Sequence, residues 1–190
     1  MKIYKVAFVG STGVGKTAIA LETKRSFYRG TILALRRKSM TVDSVVIAID
    51  VLDTSGSDEY VSVRDEAIKA SDGFVVIYSI ISSDSFKRIT QMNHDIKALK
   101  GTDVIPVVLV GNKLDLESDR QVPHVEGELL ARDWGCPFLE TFVDSERLRA
   151  VYETVVHEMN KSRSILWDYI DESQEVNIDP EERECRCVIL

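Results

Sequence analysis

The chain has 190 residues, of which 44% are hydrophobic and 29% are charged, and its formal net charge is -7. This composition supplies one ordinary hydrophobic core, so it excludes disorder over the full length, and the negative balance disfavours binding of nucleic acid by bulk electrostatics. Three cysteines do not make a disulfide framework, and no stretch has the features of a signal peptide or the ~18 apolar residues of a bilayer span, so we expect a cytosolic protein.

Strand-like apolar runs alternate with segments of helical period. The predicted strands are 3–9, about 35–42, 45–52, 74–80, 104–110 and 138–142, and the predicted helices are about 16–26, 85–100, 125–134 and 145–168. A turn at Asp43-Ser44 joins the second and third strands. This order predicts an α/β domain with a mainly parallel sheet covered on both faces. From Asp171 onward acidic residues dominate, which predicts a disordered tail.

A glycine-rich motif follows the first strand and opens the first helix. It matches G-x-x-x-x-G-K-[ST] with Gly10, Ser11, Thr12, Gly13, Val14, Gly15, Lys16 and Thr17. The glycines let backbone N–H groups turn inward around an anion, Lys16 can reach the terminal phosphates, and the Thr17 hydroxyl can bind Mg²⁺. The motif therefore predicts a nucleoside-triphosphate site.

A carboxylate that could complete the metal site follows the third strand. Asp53 lies at the carboxyl end of that strand, which is the ligand side of a parallel sheet, and Thr54-Ser55-Gly56 come next. The Gly56 N–H would be free to approach a terminal phosphate. An isolated sequence of this kind is equally typical of a turn, but the phosphate loop upstream favours the metal role.

A second motif, Asn112-Lys113-Leu114-Asp115, follows the strand 104–110. The Asp115 carboxylate can accept two hydrogen bonds from the N1–H and 2-amino edge of guanine, whereas adenine offers no such donors. Asn112 can bridge the base and the phosphate loop, and the Lys113 stem can cover the ring. The motif favours a guanine site over the other class considered, an ATP-dependent P-loop kinase.

These residues resemble the Ras superfamily of small GTPases, and the Ras branch in particular, over about residues 3–165. The resemblance implies a six-stranded sheet with about five helices, a GTP-binding domain over 1–168 and an acidic variable tail over 169–190. It implies a monomer that binds GTP and GDP with Mg²⁺, hydrolyses GTP, and responds to exchange factors, activating proteins and effectors. Thr31 is then the candidate that closes over Mg²⁺ beside Thr17 and Asp53.

The segment before Thr31 is about four residues shorter than in the family. Tyr28, or else Phe27, is the candidate for the aromatic ring beside the base. Because three peptide steps from Tyr28 to Thr31 span at most about 10 Å, we expect either the ring contact or the threonine contact to be lost.

Two further departures concern hydrolysis. Ser57 stands where the family has its water-orienting glutamine, and serine is too short to bridge the attacking water and the γ-phosphate. Thr12 replaces a glycine, and its branched side chain would crowd an incoming arginine. Both changes predict slow hydrolysis.

The last base contact also departs from the family, which has Ser-Ala-Lys where this chain has Phe142-Val143-Asp144. The Val143 N–H can still donate to the guanine O6. Phe142 supplies no hydroxyl to support Asp115, and Asp144 reverses the usual charge, so we expect weaker nucleotide retention.

Residues 32–36 read Ile-Leu-Ala-Leu-Arg, where Ras proteins are acidic. Effectors that approach with basic residues find no charge complement here. Leu33 and Leu35 are either exposed on this edge or core residues of an edge strand.

The chain ends Cys187-Val188-Ile189-Leu190, a C-a-a-X motif that predicts geranylgeranylation of Cys187. A single lipid anchors weakly, and residues 171–184 carry seven acids and one arginine, so the second signal is not basic. Cys185 is the candidate for palmitoylation. We therefore expect the protein on the cytoplasmic face of the plasma membrane or an endomembrane.

Two hypotheses remain. The favoured one is a lipid-anchored, Ras-like switch with impaired hydrolysis. The other is a pseudo-GTPase, an interaction module whose nucleotide is structural, exchanges fast or is absent.

Overall fold

The computed structural model describes residues 2–21 and 33–175. Its strands are β1 (Lys2–Val9), β2 (Leu33–Val42), β3 (Val45–Thr54), β4 (Gly73–Ser79), β5 (Val107–Asn112) and β6 (Phe138–Glu140). Its helices are α1 (Lys16–Leu21), α2 (Val61–Ala70), α3 (Ser83–Lys100), α4 (His124–Trp134) and α5 (Ser145–Glu175), with 3-10 helices at Asp58–Tyr60 and Leu114–Asp119.

The six strands form one sheet in the order β2-β3-β1-β4-β5-β6. The β2–β3 pair is antiparallel, and the other pairs are parallel. Asp43 and Ser44 form the β2–β3 turn, both with positive φ. The predicted sheet and its mainly parallel topology are confirmed.

Successive residues of the central strand β1 face opposite sides of the sheet, as strand geometry requires. Val6 and Phe8 belong to a core that includes residues of α1 and α5, while Ala7 and Val9 belong to a core that includes residues of α2, α3 and α4. Helices therefore cover both faces. The sheet fixes the carboxyl ends of β1, β3, β5 and β6 at one edge, where the predicted motifs lie.

Most element boundaries differ from the predictions by one or two residues, and three of them bear on the argument. The strand predicted from 104 begins at Val107, because Pro106 cannot donate a ladder hydrogen bond. The strand predicted to 142 ends at Glu140. The last helix continues past residue 168 to Glu175, since no proline or glycine interrupts the sequence there. The prediction that the tail is disordered from Asp171 is therefore wrong for residues 171–175, which are helical, and the rest of the tail lies outside the described residues.

Candidate functional site

The phosphate loop connects β1 to α1 through backbone conformations that favour glycine. Gly13 and Gly15 have φ values of 81° and 101°. A Cβ at Gly15 would also overlap the amide nitrogen of Asn112. Glycine is therefore favoured at position 15 for two independent reasons: its positive φ and the close approach of the Asn112 side chain.

Lys16 is held inside this loop. Its side chain is buried, and Nζ donates to the carbonyl oxygens of Gly10 at 2.8 Å and Ser11 at 2.9 Å. Burial lowers the pKa of Lys16 to about 8, although the nearby Asp53 opposes the shift. An anionic ligand in the loop would favour the charged ammonium, so the residue is suited to bind phosphate.

Asp53 lies on β3 beside Phe8 of β1, and it is completely buried. Neither carboxylate oxygen meets a hydrogen-bond donor of standard geometry within the described part of the chain. Burial raises the pKa of Asp53, while the Thr17 hydroxyl and Lys16 act in the opposite direction. A buried carboxylate with unsatisfied oxygens next to a hydroxyl fits a hard divalent cation such as Mg²⁺.

Among the described residues, no group of three or more His, Cys, Asp or Glu side chains is arranged so that it could hold a metal ion by itself. A site built from Asp53 and Thr17 would therefore need oxygen ligands from bound phosphates and water, which is how Mg²⁺ is commonly held.

The segment after Asp53 packs directly on the phosphate loop. A Cβ at Gly56 would overlap the Thr12 nitrogen and approach the Gly10 oxygen at 2.7 Å. The Thr12 side chain is exposed. It lines a cavity of about 210 Å³ together with residues at the start of α3, among them Asp84 and Arg88.

Ser57 has a structural contact in this arrangement. Its hydroxyl accepts a hydrogen bond from the Glu59 N–H at 3.4 Å and so caps the 3-10 helix Asp58–Tyr60. Its own N–H donates to the Ser55 hydroxyl at 3.2 Å. The side chain at the predicted water-orienting position is therefore used to begin a helical turn.

Asn112 joins the second motif, residues 112–115, which we call the base motif, to the phosphate loop. It is buried, and its Nδ2 donates to the Val14 carbonyl at 2.7 Å. Lys113 then takes a left-handed conformation with φ of 71°, and the Asp115 side chain is exposed. The carboxylate is thus accessible to a base placed beside the loop.

The segment after β6 is bonded to this motif on both sides of Asn112. The Thr141 N–H donates to the Gly111 carbonyl at 2.8 Å, and the Leu114 N–H donates to the Thr141 carbonyl at 3.0 Å. The Val143 side chain packs against the core formed with α1 and α5. Both predicted base-contacting segments therefore meet at the carboxyl ends of β5 and β6.

Asp144 has a role that was not predicted. Its Oδ1 accepts hydrogen bonds from the backbone N–H groups of Glu146 at 3.1 Å and Arg147 at 3.3 Å. It is therefore the N-cap of α5, and Arg147 in turn lies over the Phe142 ring at 5.5 Å. An aspartate directly before a long helix is the sequence signal for this cap.

Arg120 is a second residue that sequence reasoning missed. It forms two hydrogen bonds to Glu117 and two to Glu140, all between 2.6 and 2.8 Å. Its Nη1 also donates to the Val122 carbonyl at 3.0 Å. These contacts raise the pKa of Arg120 and tie the 3-10 helix after the base motif to the end of β6.

The remaining predicted site residues have different outcomes. Phe27, Tyr28, Thr31, Cys185 and Cys187 lie outside the described residues. Leu33 and Leu35 are 43% and 64% exposed on the edge strand β2, so they are surface residues and not core residues. No helix in the described ranges has the length and apolar character needed to cross a membrane.

Comparison with known proteins agrees with this geometry. The model of the Ras family matches residues 5–161. Ras-like protein rasC of Dictyostelium discoideum is 37% identical over 190 residues, which cover 97% of this chain and 97% of that protein. The phosphate loop, the buried Asp53 and the paired base segments occur within the matched range. The chain therefore belongs to the Ras family, as a small GTPase of the Ras branch and a GTP-binding signalling switch.

Proposed function

We propose that the protein binds GTP and GDP with Mg²⁺, hydrolyses GTP slowly, and acts from a lipid anchor. The observation that carries the metal site is the completely buried Asp53 carboxylate, whose oxygens have no donor of standard geometry among the described residues. Leaving such a carboxylate unsatisfied is costly, and a cation held together with the Thr17 hydroxyl would offset that cost. Thr31 is the third proposed ligand.

The phosphate loop residues from Gly10 to Thr17 would hold the phosphates, and Gly56 would contribute its N–H to the terminal one. Lys16 now donates to two loop carbonyls, and we propose that its ammonium turns from these to the phosphates when nucleotide binds. Asp53 and the Thr17 hydroxyl would hold Mg²⁺ beside these phosphates, where the ion would supply positive charge.

The base would lie between two segments of the chain. Asp115 would accept from the guanine N1–H and 2-amino group, and the Val143 N–H would donate to O6. The Lys113 stem would cover one face of the ring, and Tyr28 would lie at its edge. The exposed Asp115 carboxylate and the paired Gly111–Thr141 backbones support this assignment.

Slow hydrolysis is supported by the environment of Ser57. The hydroxyl caps the turn at Asp58–Tyr60, and its short side chain cannot reach across to orient a water molecule. The exposed Thr12 side chain adds bulk where the arginine of an activating protein would enter. The chain therefore has the groups that would bind the phosphates and Mg²⁺, but it lacks the side chain that would orient the attacking water.

A pseudo-GTPase is the second candidate, and the segment after β6 favours it. Asp144 is committed to capping α5, and Phe142 contacts Arg147, so neither side chain supports the base. Nucleotide would then be retained weakly or serve only a structural role.

The first experiment uses protein that lacks residues 185–190, which removes both lipid-bearing cysteines. The protein is denatured, the released nucleotide is identified, and single-turnover loss of loaded GTP is followed. Retained guanine nucleotide, together with slow hydrolysis of the loaded GTP, supports the switch. Absence of retained nucleotide, together with absence of Mg²⁺-dependent GTP binding, would leave the pseudo-GTPase.

Asp53→Asn provides the matched test of the metal site. The amide keeps the shape of the side chain but removes the charge, so Mg²⁺ should no longer strengthen GTP binding. Asp72→Asn is the control, because Asp72 is a carboxylate that binds the Lys5 N–H at 2.9 Å and does not line the phosphate loop. Equal Mg²⁺ dependence in the two variants would contradict the assignment.

We further propose that residues 1–168 form the GTP-binding domain and that residues 169–190 carry its anchor. Geranylgeranylation of Cys187 and palmitoylation of Cys185 would place the domain on the cytoplasmic face of the plasma membrane or an endomembrane. Mass spectrometry of the carboxyl-terminal peptide tests both modifications. In Cys187→Ser the protein should move to the supernatant after membrane sedimentation, and persistence in the pellet would contradict the anchor.

A further inference from the structure

Arg120 lies at a junction between the two segments that would contact the base. The 3-10 helix Leu114–Asp119 begins inside the base motif, and Arg120 follows it. Glu140 is the last residue of β6 and directly precedes Thr141, whose N–H bonds to the Gly111 carbonyl and whose carbonyl bonds to the Leu114 N–H. The Arg120–Glu140 pair therefore adds a side-chain link between the segment after β5 and the segment after β6, which backbone hydrogen bonds already join.

The two carboxylate partners of Arg120 differ in burial. Arg120 and Glu140 have side chains that are 16% and 7% exposed, whereas the Glu117 side chain is 60% exposed. Breaking a buried, doubly hydrogen-bonded pair leaves an uncompensated charge, while an exposed pair is replaced by water at little cost. The Glu140 contact should therefore carry most of the effect.

The surroundings of Glu140 leave little room for displacement. A Cβ at Gly111 would lie 2.9 Å from the Tyr78 hydroxyl oxygen and 3.2 Å from Glu140 Cγ. The Glu140 side chain is thus packed under the backbone from which the base motif begins. A shift at Glu140 would be transmitted to Gly111 and Thr141.

We propose that Arg120, through its buried pair with Glu140, is a positioning residue that sets both guanine selectivity and nucleotide residence time. The pair holds the segment that carries Asp115 against the segment that carries Val143. This inference rests on the proposed function, in which those two residues read the guanine edge.

The test compares GDP with inosine diphosphate, which lacks the 2-amino group that Asp115 would bind. Full-length protein is used, and both dissociation constants and the GDP dissociation rate are measured. In Arg120→Met and Glu140→Gln we expect GDP to dissociate about tenfold faster. We also expect the preference for GDP over inosine diphosphate to fall by about threefold or more, since a misplaced carboxylate loses the geometry of the contact.

Glu117→Gln is the matched control. It removes a carboxylate from the same arginine, but at the exposed end, so rate and preference should stay within about twofold of the unmodified protein. A change as large as that of Glu140→Gln would overturn the proposal, because the effect would then not depend on the buried junction.

The double variant Arg120→Met with Glu140→Met separates positioning from folding. It leaves no unpaired charge in the junction between Arg120 and Glu140, so thermal stability should recover relative to Arg120→Met alone. The preference for GDP should remain reduced, because the fixed geometry of the pair is still missing. If the double variant or the single variants preferred GDP over inosine diphosphate as strongly as the unmodified protein does, the positioning role would be overturned. The proposed function would remain intact.

Unmodified protein that shows no preference for GDP would have a different meaning. That result would show that Asp115 does not recognise the 2-amino group of guanine, and the role proposed for Arg120 would fail with it. The two failures are therefore distinguished by the unmodified protein alone.

Discussion

The backbone of Gly56 lies so close to Thr12 that a Cβ at position 56 would overlap the Thr12 nitrogen. The segment after Asp53 is thereby pressed onto the phosphate loop at a point where both would contact the terminal phosphate. Glycine at this position is required by the close approach.

Gly56→Ala should loosen this contact. Overpacking of this kind costs about 1–3 kcal/mol, so we expect lower thermal stability together with faster amide hydrogen exchange at residues 10–12 and 54–57. Gly101→Ala is the control, since a Cβ there meets nothing within 4 Å and only the backbone strain at φ 65° is added. Equal exchange at residues 54–57 in both variants would contradict the close approach.

Ser57→Gln should accelerate hydrolysis. The longer amide side chain can reach a water molecule at the terminal phosphate, and we expect single-turnover hydrolysis to rise about tenfold. Loss of the cap at Glu59 should cost about 1 kcal/mol. Thr12→Gly in the same background should raise the rate stimulated by an activating arginine, and GDP affinity should change little. An unchanged rate in the single variant would show that Ser57 does not limit hydrolysis.

Asp115→Asn should change which base is bound. An asparagine amide can donate to the 2-oxo group of xanthine but repels the donors of guanine, so GDP affinity should fall by about a hundredfold or more. Xanthosine diphosphate should then bind better than GDP in a competition assay. Glu117→Gln removes a neighbouring carboxylate and should leave the order unchanged. Retention of GDP preference by Asp115→Asn would show that Asp115 does not read the base.

Asp50 provides a test of pH dependence away from the nucleotide site. Arg37 donates to its carboxylate at 2.6 and 2.8 Å, and this hydrogen bonding lowers the pKa of Asp50. Because the folded pKa lies below the unfolded one, the stabilisation is present above pH ~4 and is lost as the pH falls through the folded value. Arg37 is 55% exposed, so solvent screens the pair and the effect is modest.

Asp50→Asn should therefore lower the melting temperature by roughly 2–5 °C at pH 7, and the difference should vanish in acid. Asp103→Asn is the control, because that carboxylate is exposed in the loop before β5. A difference that stays constant down to pH 3 would contradict the ion pair as its cause.

Much of the fold could be predicted because the strands are continuous apolar runs. β4 and β5 are buried on both faces, so their Val and Ile content identified them directly. Helix α2 was not predicted from the pattern, since Val61–Ala70 mixes charged and apolar residues and buries only Ala67 and Ile68. Tertiary contacts, and not periodicity, define that helix.

The predicted site depended on motifs whose residues are close in sequence. Lys16, Asp53 and Asn112 occur in such motifs, and their geometry could be anticipated from the strand ends. Arg120 could not, because Glu140 lies 20 residues away along the chain and becomes its neighbour only when β6 pairs with β5. Asp144 is an intermediate case. Its position directly before a helix is a local signal for an N-cap, but it was interpreted from the sequence only as a charge reversal at the base contact.

Helix α5 has a consequence for how the molecule would stand on a surface. Its 31 residues form a rod of about 46 Å. Asp144, beside the base segment, marks one end, and the chain continues toward its carboxyl terminus from the other. A body tethered by that terminus would carry its nucleotide pocket at the far end of the rod. The length of the helix would then separate the pocket from the point of attachment by up to about 46 Å.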